Sequence, residues 1–453
     1  MSVLRAVCGG IWQPWLLGLV LLTGLVYTLG SGFFQLLEWR VWWRTTVGSL
    51  FHPGEKKRGG GLSSVQALTT ALASTIGTGS IAGVATAIVL GGPGAVFWMW
   101  VCAGLGMMTA CGEKLLSVES QRPAPGGGLQ GGPMFYLRDM LGWRNLAIWF
   151  ALACIPAAII GGGIVQAASI ASALHAAFGW NELVVGVVTA CTAGLVMMGG
   201  VDRIAAASSA LVPVMALLYL GSGAWVLLQQ AEALPGALIL IIRCAFDPGA
   251  ALGGGTGYTL SLALRYGVAR GVFTNEAGLG TSAMVHGAAR VDHPARQGMW
   301  GIFEVFVSTL VVCTMTALVI LVGGVYDPLS PGALTGAPLT AASFAAVMGP
   351  AGSYVVAVSL LLFAFSSILG WSYYGGQGLR FLTENERLLP GYRCVFLVCA
   401  AAGTMWDGEA VWLLVDLGSA LMALPNLIAL LALAPWVLGR LRGWSGTESR
   451  IGT

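Results

Sequence analysis

About eleven times along this chain an apolar run approaches or exceeds the ~20 residues that cross a lipid bilayer as a helix. The runs fall at 15–37, 62–91, 95–117, 146–172, 183–199, 208–228, 257–287, 298–323, 353–379, 393–406 and 410–438. A bilayer core offers no water to unpaired backbone groups, so runs of this length fold as packed helices. Composition agrees: of 453 residues 57% are hydrophobic and 9% charged, with a mean hydropathy of +0.81, where a soluble domain carries about a quarter charged residues. The chain therefore reads as an all-α integral membrane protein in the cell (inner) membrane. Lipid is its medium, and no nucleic-acid partner is expected. The run at 15–37 is too long for a signal-peptide core and is read as a retained helix. Cys102, Cys154, Cys191 and Cys313 lie inside apolar runs and read as small core residues.

The basic residues set an orientation. With the N-terminus outside, eighteen of the 22 Lys and Arg, including Lys114, fall on the inner side. By the positive-inside rule that split predicts an outside N-terminus and a cytoplasmic C-terminus, which an odd number of spans requires. The charged run Glu55, Lys56, Lys57, Arg58 and the pair Asp202-Arg203 serve as polar punctuation between spans.

Two runs break the pattern. The second contains TTALASTIGTGSIAGVATAIVLGGPG and extends for about 30 residues, roughly 45 Å as one helix against a ~30 Å core. The seventh carries NEAGLG where an apolar centre belongs. Excess length with a Gly-rich centre predicts a helix interrupted in its middle. Unwound backbone inside a membrane survives only where protein or a water-filled cavity surrounds it. There its N–H groups suit a carboxylate and its freed carbonyls suit a hard cation. A pair of such segments in matching positions of two halves points to a transporter's binding site. The alternative for Gly79-x-x-x-Gly83 is a close helix-packing face.

Several residues carry two readings each. Glu276 at mid-membrane is a gating group or a carboxylate capping the second half-helix. Arg270 is an outer gate charge or a snorkelling arginine. Phe273 is a lid or plain core, and Asn275 shares the readings of its neighbour. Ser366-Ser367 either bond the preceding turn or face an unwound helix as a cation site. Gln166 is a ligand contact or an interhelical hydrogen bond. Glu304 lies nearer the inner face, where a cytoplasmic Arg would pair with it.

The blocks TTALASTIGTGSIAGVATAIVLGGPGAVFWMWV, GGPMFYLRDML, RYGVARGVFTNEAGLGTSAMVHGAARVDHPARQGMWGIFEVF, LLFAFSSILGWSYYG and LMALPNLIALL resemble the alanine/glycine:cation symporter family. The resemblance implies a leucine-transporter-like fold of two inverted five-helix repeats (62–228 and 257–438) with two broken helices. Residues 1–61 would then be a peripheral helix and cytoplasmic loop, and 439–453 a cytoplasmic tail. It also implies symport of a small neutral amino acid, alanine or glycine, with Na⁺ as coupling ion and no cofactor. Carried over residue by residue, the substrate meets Thr70, Ser74, Thr75, Gly77, Thr78 and Gly79, and Phe273, Thr274 and Asn275 line the pocket. Gln166 and Trp371 close it. Na⁺ meets the carbonyls of Ala73 and Ile76 and the hydroxyls of Ser366 and Ser367. Ser80 and Ala168 depart from the family pattern, which has Asn at both positions, and so bear on substrate range.

An integral-membrane enzyme is the competing class. His is confined to His52, His175, His286 and His293, and no H-E-x-x-H, H-x-x-E-H or nucleophile-elbow motif occurs. The chain is therefore not expected to be an enzyme. A channel or a sensor built on the transporter fold is the other alternative, separated from a symporter by concentrative, sodium-driven uptake.

Overall fold

The computed structural model describes residues 14–50, 61–125, 127–246, 260–327, 334–383, 385–406 and 408–451. The charged run at 55–58 lies outside them. The first apolar run forms α1 (Pro14–Gly30), which ends where Gly32 (φ 69°) and Phe33 (φ 58°) turn the backbone left-handed. Short turns at Phe34–Leu37 and Trp39–Trp43 follow. The second run is broken as expected, into α2 (Ser64–Thr75) and α3 (Gly79–Gly91), bent by 50°. A capping box starts α2. Ser63 Oγ accepts from the Gln66 N–H at 3.2 Å, and Gln66 Oε1 accepts from the Ser63 N–H at 3.1 Å. Ile76 ends it, with a ψ of 74° that leaves the helical region.

Then come α4 (Gly94–Glu119), a two-residue strand pair β1 (Arg122–Pro123) and β2 (Leu129–Gln130), α5 (Pro133–Asp139), α6 (Arg144–Phe178), α7 (Glu182–Met197), α8 (Gly200–Gln229) and α9 (Leu234–Phe246). The seventh run is also interrupted, into α10 (Leu260–Asn275) and α11 (Thr281–His286). The rest is α12 (Pro294–Val322), α13 (Gly336–Met348), α14 (Pro350–Thr383), α15 (Leu389–Ala402) and α16 (Gly408–Ile451).

Among the described residues seven helices are long and apolar enough to cross a bilayer, and the bent pair α2–α3 makes an eighth; α7, α13 and most of α1 are apolar but shorter. Leu217, Leu228, Met198 and Val398 are each more than 60% exposed. Such large apolar side chains belong in lipid, not water. This is a multi-pass membrane protein. At its centre α4 packs against α10 and α12, with α1 and α9 also on its flanks. The contact is close because glycines face it: a Cβ on Gly301 would sit 2.7 Å from the Ala110 carbonyl oxygen, and one on Gly267 2.6 Å from Trp98 Cβ.

Three sequence expectations need correction and one refinement. Asp202-Arg203 marks the boundary between two spans from within a helix and not from the turn itself. The turn between α7 and α8 is made by Gly200 (φ 70°), which puts both residues in the first turn of α8, and Arg203 donates back to the Leu195 carbonyl at 3.2 Å. Lys114 is not an inner-surface charge. The helix runs on past it to Glu119, and its ammonium is fully buried. Cys191 is exposed on α7, while Cys102, Cys154 and Cys313 are buried. The fourth, Glu304, is treated below. Helices α9 and α13 were not expected, because at 13 residues each they fall short of a span.

Candidate functional site

The first break exposes backbone to α14 and α6. Ser366 Oγ donates to the Ala73 carbonyl at 2.9 Å, and Ser367 Oγ lies 3.0 Å from the same oxygen and 3.1 Å from the Ser74 carbonyl. Both hydroxyls also reach the Phe363 carbonyl one turn back, at 2.9 and 3.0 Å. The serines thus bond their own helix and also face the broken one. Gln166 spans the gap from α6. Its Oε1 accepts from the Thr78 N–H at 3.4 Å, and its Nε2 donates to the Gly161 carbonyl at 3.2 Å. Gly77 has no room for a side chain, since a Cβ would lie 2.6 Å from Ser367 Oγ and 3.3 Å from Gln166 Oε1. Two further carbonyls just past the first break are met by hydroxyls: Thr316 of α12 donates to Ser80 at 2.8 Å and Thr340 of α13 to Ile81 at 3.2 Å.

Residues Gly79–Gly83, Ala158–Ile164 and Phe306–Cys313 each wind as π-helix. Single π-turns of this kind concentrate at functional sites because they misalign the backbone ladder. The second break lies against the first. A Cβ on Gly79 would be 3.0 Å from the Phe273 ring and 3.3 Å from Thr274 Oγ1. Thr78 Oγ1 and Asn275 Nδ2 are buried here without a hydrogen-bond partner, and Ser80 Oγ faces the Cys313 thiol. Buried polar atoms left unpaired are costly, which makes these two candidates for a contact.

In the last two turns of α10, Phe273 packs edge-on against Trp412 with centroids 5.5 Å apart. Arg270 lies over the same Trp412 ring at 5.1 Å and pairs with Asp416 at 3.7 Å. That arginine bridges α10 to α16 rather than snorkelling. Trp371 packs on Gly162, where a Cβ would overlap it, and stacks on Tyr374 at 5.7 Å. Thr70, Ser74 and Thr75 direct their hydroxyls at carbonyls of their own helix, at 2.7, 3.0 and 3.1 Å. Thr274 does the same toward Arg270, at 2.7 Å.

The second break is held by an ionic network that sequence reasoning missed. α10 stops because Glu276 is left-handed (φ 55°), followed by Gly278 (φ 92°) and Gly280 (φ 76°). Glu113 of α4 fills the resulting gap. Its Oε1 accepts from the Gly278 N–H at 2.9 Å, the Gly280 N–H at 3.0 Å and Asn426 Nδ2 at 2.6 Å. Tyr136 hydrogen-bonds the other atom of the Asn426 amide, and Thr281 hydrogen-bonds the Glu276 carboxylate. Lys114 Nζ lies 3.6 Å from Glu113 Oε2 and 3.3 Å from Glu304 Oε2, and His286 Nε2 is also 3.3 Å from Glu304 Oε2. Glu304 thus pairs with buried Lys114 and His286, not with a cytoplasmic arginine. The signal was present as Glu113-Lys114, an opposite-charge pair inside an apolar run.

A helical membrane bundle with two interrupted helices crossing at their breaks defines a secondary-transporter architecture. Consistent with that, a Na⁺-coupled sialic acid symporter, solved in a substrate-bound outward-open state, superposes with a TM-score of 0.53 over 94% of this chain and 98% of its own, at 12% identity. A sequence profile of the sodium:alanine symporter family matches residues 1–450, and the chain belongs to that family. Its relatives include the sodium/alanine symporter AgcS of Methanococcus maripaludis, 39% identical over 98% of this chain and 97% of that protein. A probable sodium/glutamine symporter, GlnT, of Bacillus subtilis is 34% identical over 96% of this chain and 88% of that protein. The family is one of symporters, not of enzymes.

Proposed function

We propose that the chain takes up a small neutral amino acid, alanine or glycine, together with Na⁺ by alternating access. The observation that carries this reading is the convergence of the Ser366 and Ser367 hydroxyls on the Ala73 carbonyl beside a break in α2–α3. These are neutral, hard oxygens, the donor set for Na⁺. Because no carboxylate joins them, they hold the ion weakly enough to release it. Ile76 completes the set, its carbonyl freed where the helix ends. Ion occupancy would tie the first broken helix to α14 and so bias the gate. The amino acid would sit between the two breaks. Gly77, Thr78 and Gly79 meet its carboxylate with backbone N–H groups, and Thr78 and Asn275 offer the polar atoms that lack partners. Thr70, Ser74 and Thr75 shape the α2 side. Phe273 and Thr274 wall the other side, while Gln166 and Trp371 limit its depth. Arg270, with Asp416 and Trp412, forms the outer gate, and Glu276 fixes the moving half-helix.

On this reading the chain has eleven spans in the cell membrane, in two inverted five-helix repeats preceded by α1. Each repeat supplies one broken helix. Its N-terminus is outside and its C-terminus in the cytoplasm. Cysteines introduced at Ser2 and Gly452, in a variant lacking other reactive thiols, should be labelled from outside and inside respectively by a membrane-impermeant maleimide. Labelling of the first from the cytoplasmic side would overturn the topology.

The decisive measurement is uptake of labelled amino acids into proteoliposomes with and without an inward Na⁺ gradient. Alanine and glycine are expected to accumulate against their gradient only with Na⁺, and leucine and phenylalanine to compete weakly. Glutamine belongs in the panel, because Ser80 and Ala168 replace two amides near the pocket. Downhill flux without Na⁺ dependence would favour a channel.

A further inference from the structure

The ionic network beside α11 holds more negative charge than it neutralises. Glu113, Glu276 and Glu304 face one ammonium, Lys114, and all four side chains are essentially inaccessible to solvent. With all three carboxylates ionised and His286 neutral the excess would be two negative charges inside a membrane protein, an arrangement that desolvation makes costly. The excess falls to one if the network takes a proton.

The oxygens differ in what they can accept. Glu113 Oε1 is already engaged by three N–H donors, and the Glu276 carboxylate by the Thr281 hydroxyl. Neither oxygen of Glu304 has a hydrogen-bond partner, Oε2 meeting Lys114 and His286 only as ion-pair contacts at 3.3 Å, and Glu113 Oε2 is likewise without one. The charged and titratable groups facing His286 are Glu304 from α12 and Lys114 from α4. Tyr27 and Tyr136 face Glu113 instead.

His286 lies between two partners that suit both of its forms. Nε2 points at Glu304 Oε2 from 3.3 Å, and Nδ1 is 2.5 Å from the Gln297 amide nitrogen. A neutral ring suits that arrangement, with Nε2–H turned to the carboxylate and Nδ1 accepting from the amide. Gln297 Oε1 is meanwhile buried without a partner. Rotating the amide by half a turn brings Oε1 to Nδ1, where it accepts an N–H. The imidazolium is then held by a carboxylate on one side and an amide oxygen on the other.

We propose that Glu304, His286 and Gln297 form a proton-binding site that loads one proton at His286 Nδ1 and couples it to the position of α11. The proton comes from water; the only bond made is N–H, and the network's excess charge drops from two to one. His286 is the last residue of α11, whose other end joins the break at Glu276–Gly280, so a charge change there acts on the half-helix that closes the site. The coupling to movement rests on the transport reading; the proton binding does not.

The test uses the full-length protein in detergent micelles with ring-labelled histidine, of which it has four. One imidazole signal, absent from His286→Gln, is expected to titrate, its midpoint marking proton loading at the ring. Glu304→Gln should lower that midpoint by about one unit or more, because the opposing charge is gone. If His286→Gln does not fold, Gln297→Ala identifies the signal by shifting it. No titration between about pH 4.5 and 9, or a midpoint unmoved in Glu304→Gln, would overturn the site. In proteoliposomes, Na⁺-driven uptake by the parent should change about threefold across that midpoint and be flat in His286→Gln. Matching profiles in the two would overturn the coupling. Absence of uptake by the parent, with the titration intact, would refute the transport reading alone.

Discussion

Glu113→Ala is expected to destabilise the protein by about 3–5 kcal/mol, the cost of breaking a buried ion pair by removing one partner. The substitution orphans the Gly278 and Gly280 N–H groups and leaves Asn426 Nδ2 with only the Gly278 carbonyl. It also takes one of two carboxylates away from the fully buried ammonium of Lys114. Thermal unfolding of the purified protein in detergent, followed by intrinsic fluorescence, measures the loss. Glu119→Ala is the control. It removes a partner of Arg440 from a partly exposed pair on the same helix and should change stability by less than about 1 kcal/mol. Equal effects of the two substitutions would show that Glu113 does not hold the second break. Glu113→Gln should be milder, since an amide oxygen can still accept from the glycine N–H groups.

The second large effect is expected at the first break. Removing the Ser366 or Ser367 hydroxyl withdraws one oxygen from the candidate Na⁺ site, and each variant should raise the Na⁺ concentration for half-maximal uptake by roughly tenfold, about 1.4 kcal/mol. Preference among amino acids should be unchanged, because neither hydroxyl is assigned to the substrate. Gly77→Ala should be more severe and abolish uptake. Its methyl would press on Ser367 Oγ at 2.6 Å, and the contact involves the packed face of α14 rather than a flexible chain end. Na⁺ activation curves at saturating alanine decide the matter. Curves for the serine variants that superpose on the parent would remove both residues from the cation site.

Much of this architecture was legible because membranes simplify the code. A Gly-Thr-Gly in one overlong apolar run and NEAGLG in another located both breaks to within a residue or two, since few other structures excuse glycine at that depth. The long pairings were not legible. Glu113-Lys114 near the end of an apolar run looks like the interface with water, and only the extension of α4 to Glu119 buries it. Nothing local to Glu304 says that its partners come from α4 and α11. Arg270 and Asp416 are likewise 146 residues apart in sequence, and the cation–π contact with Trp412 follows from the same packing. Helices α9 and α13 escaped because length, the criterion for a span, excludes them.

Glu276 has a further consequence. A left-handed backbone costs a glycine nothing, whereas a residue with a side chain pays about 1–3 kcal/mol to be there and would relax in the right-handed region. At φ 55°, with its carboxylate bonded to Thr281, Glu276 holds the joint between α10 and α11 like a cocked spring. The bend is kept by the groups packed around it, Glu113 and Asn426 among them, and not by the backbone's own preference, so any movement that frees those contacts also releases the stored strain.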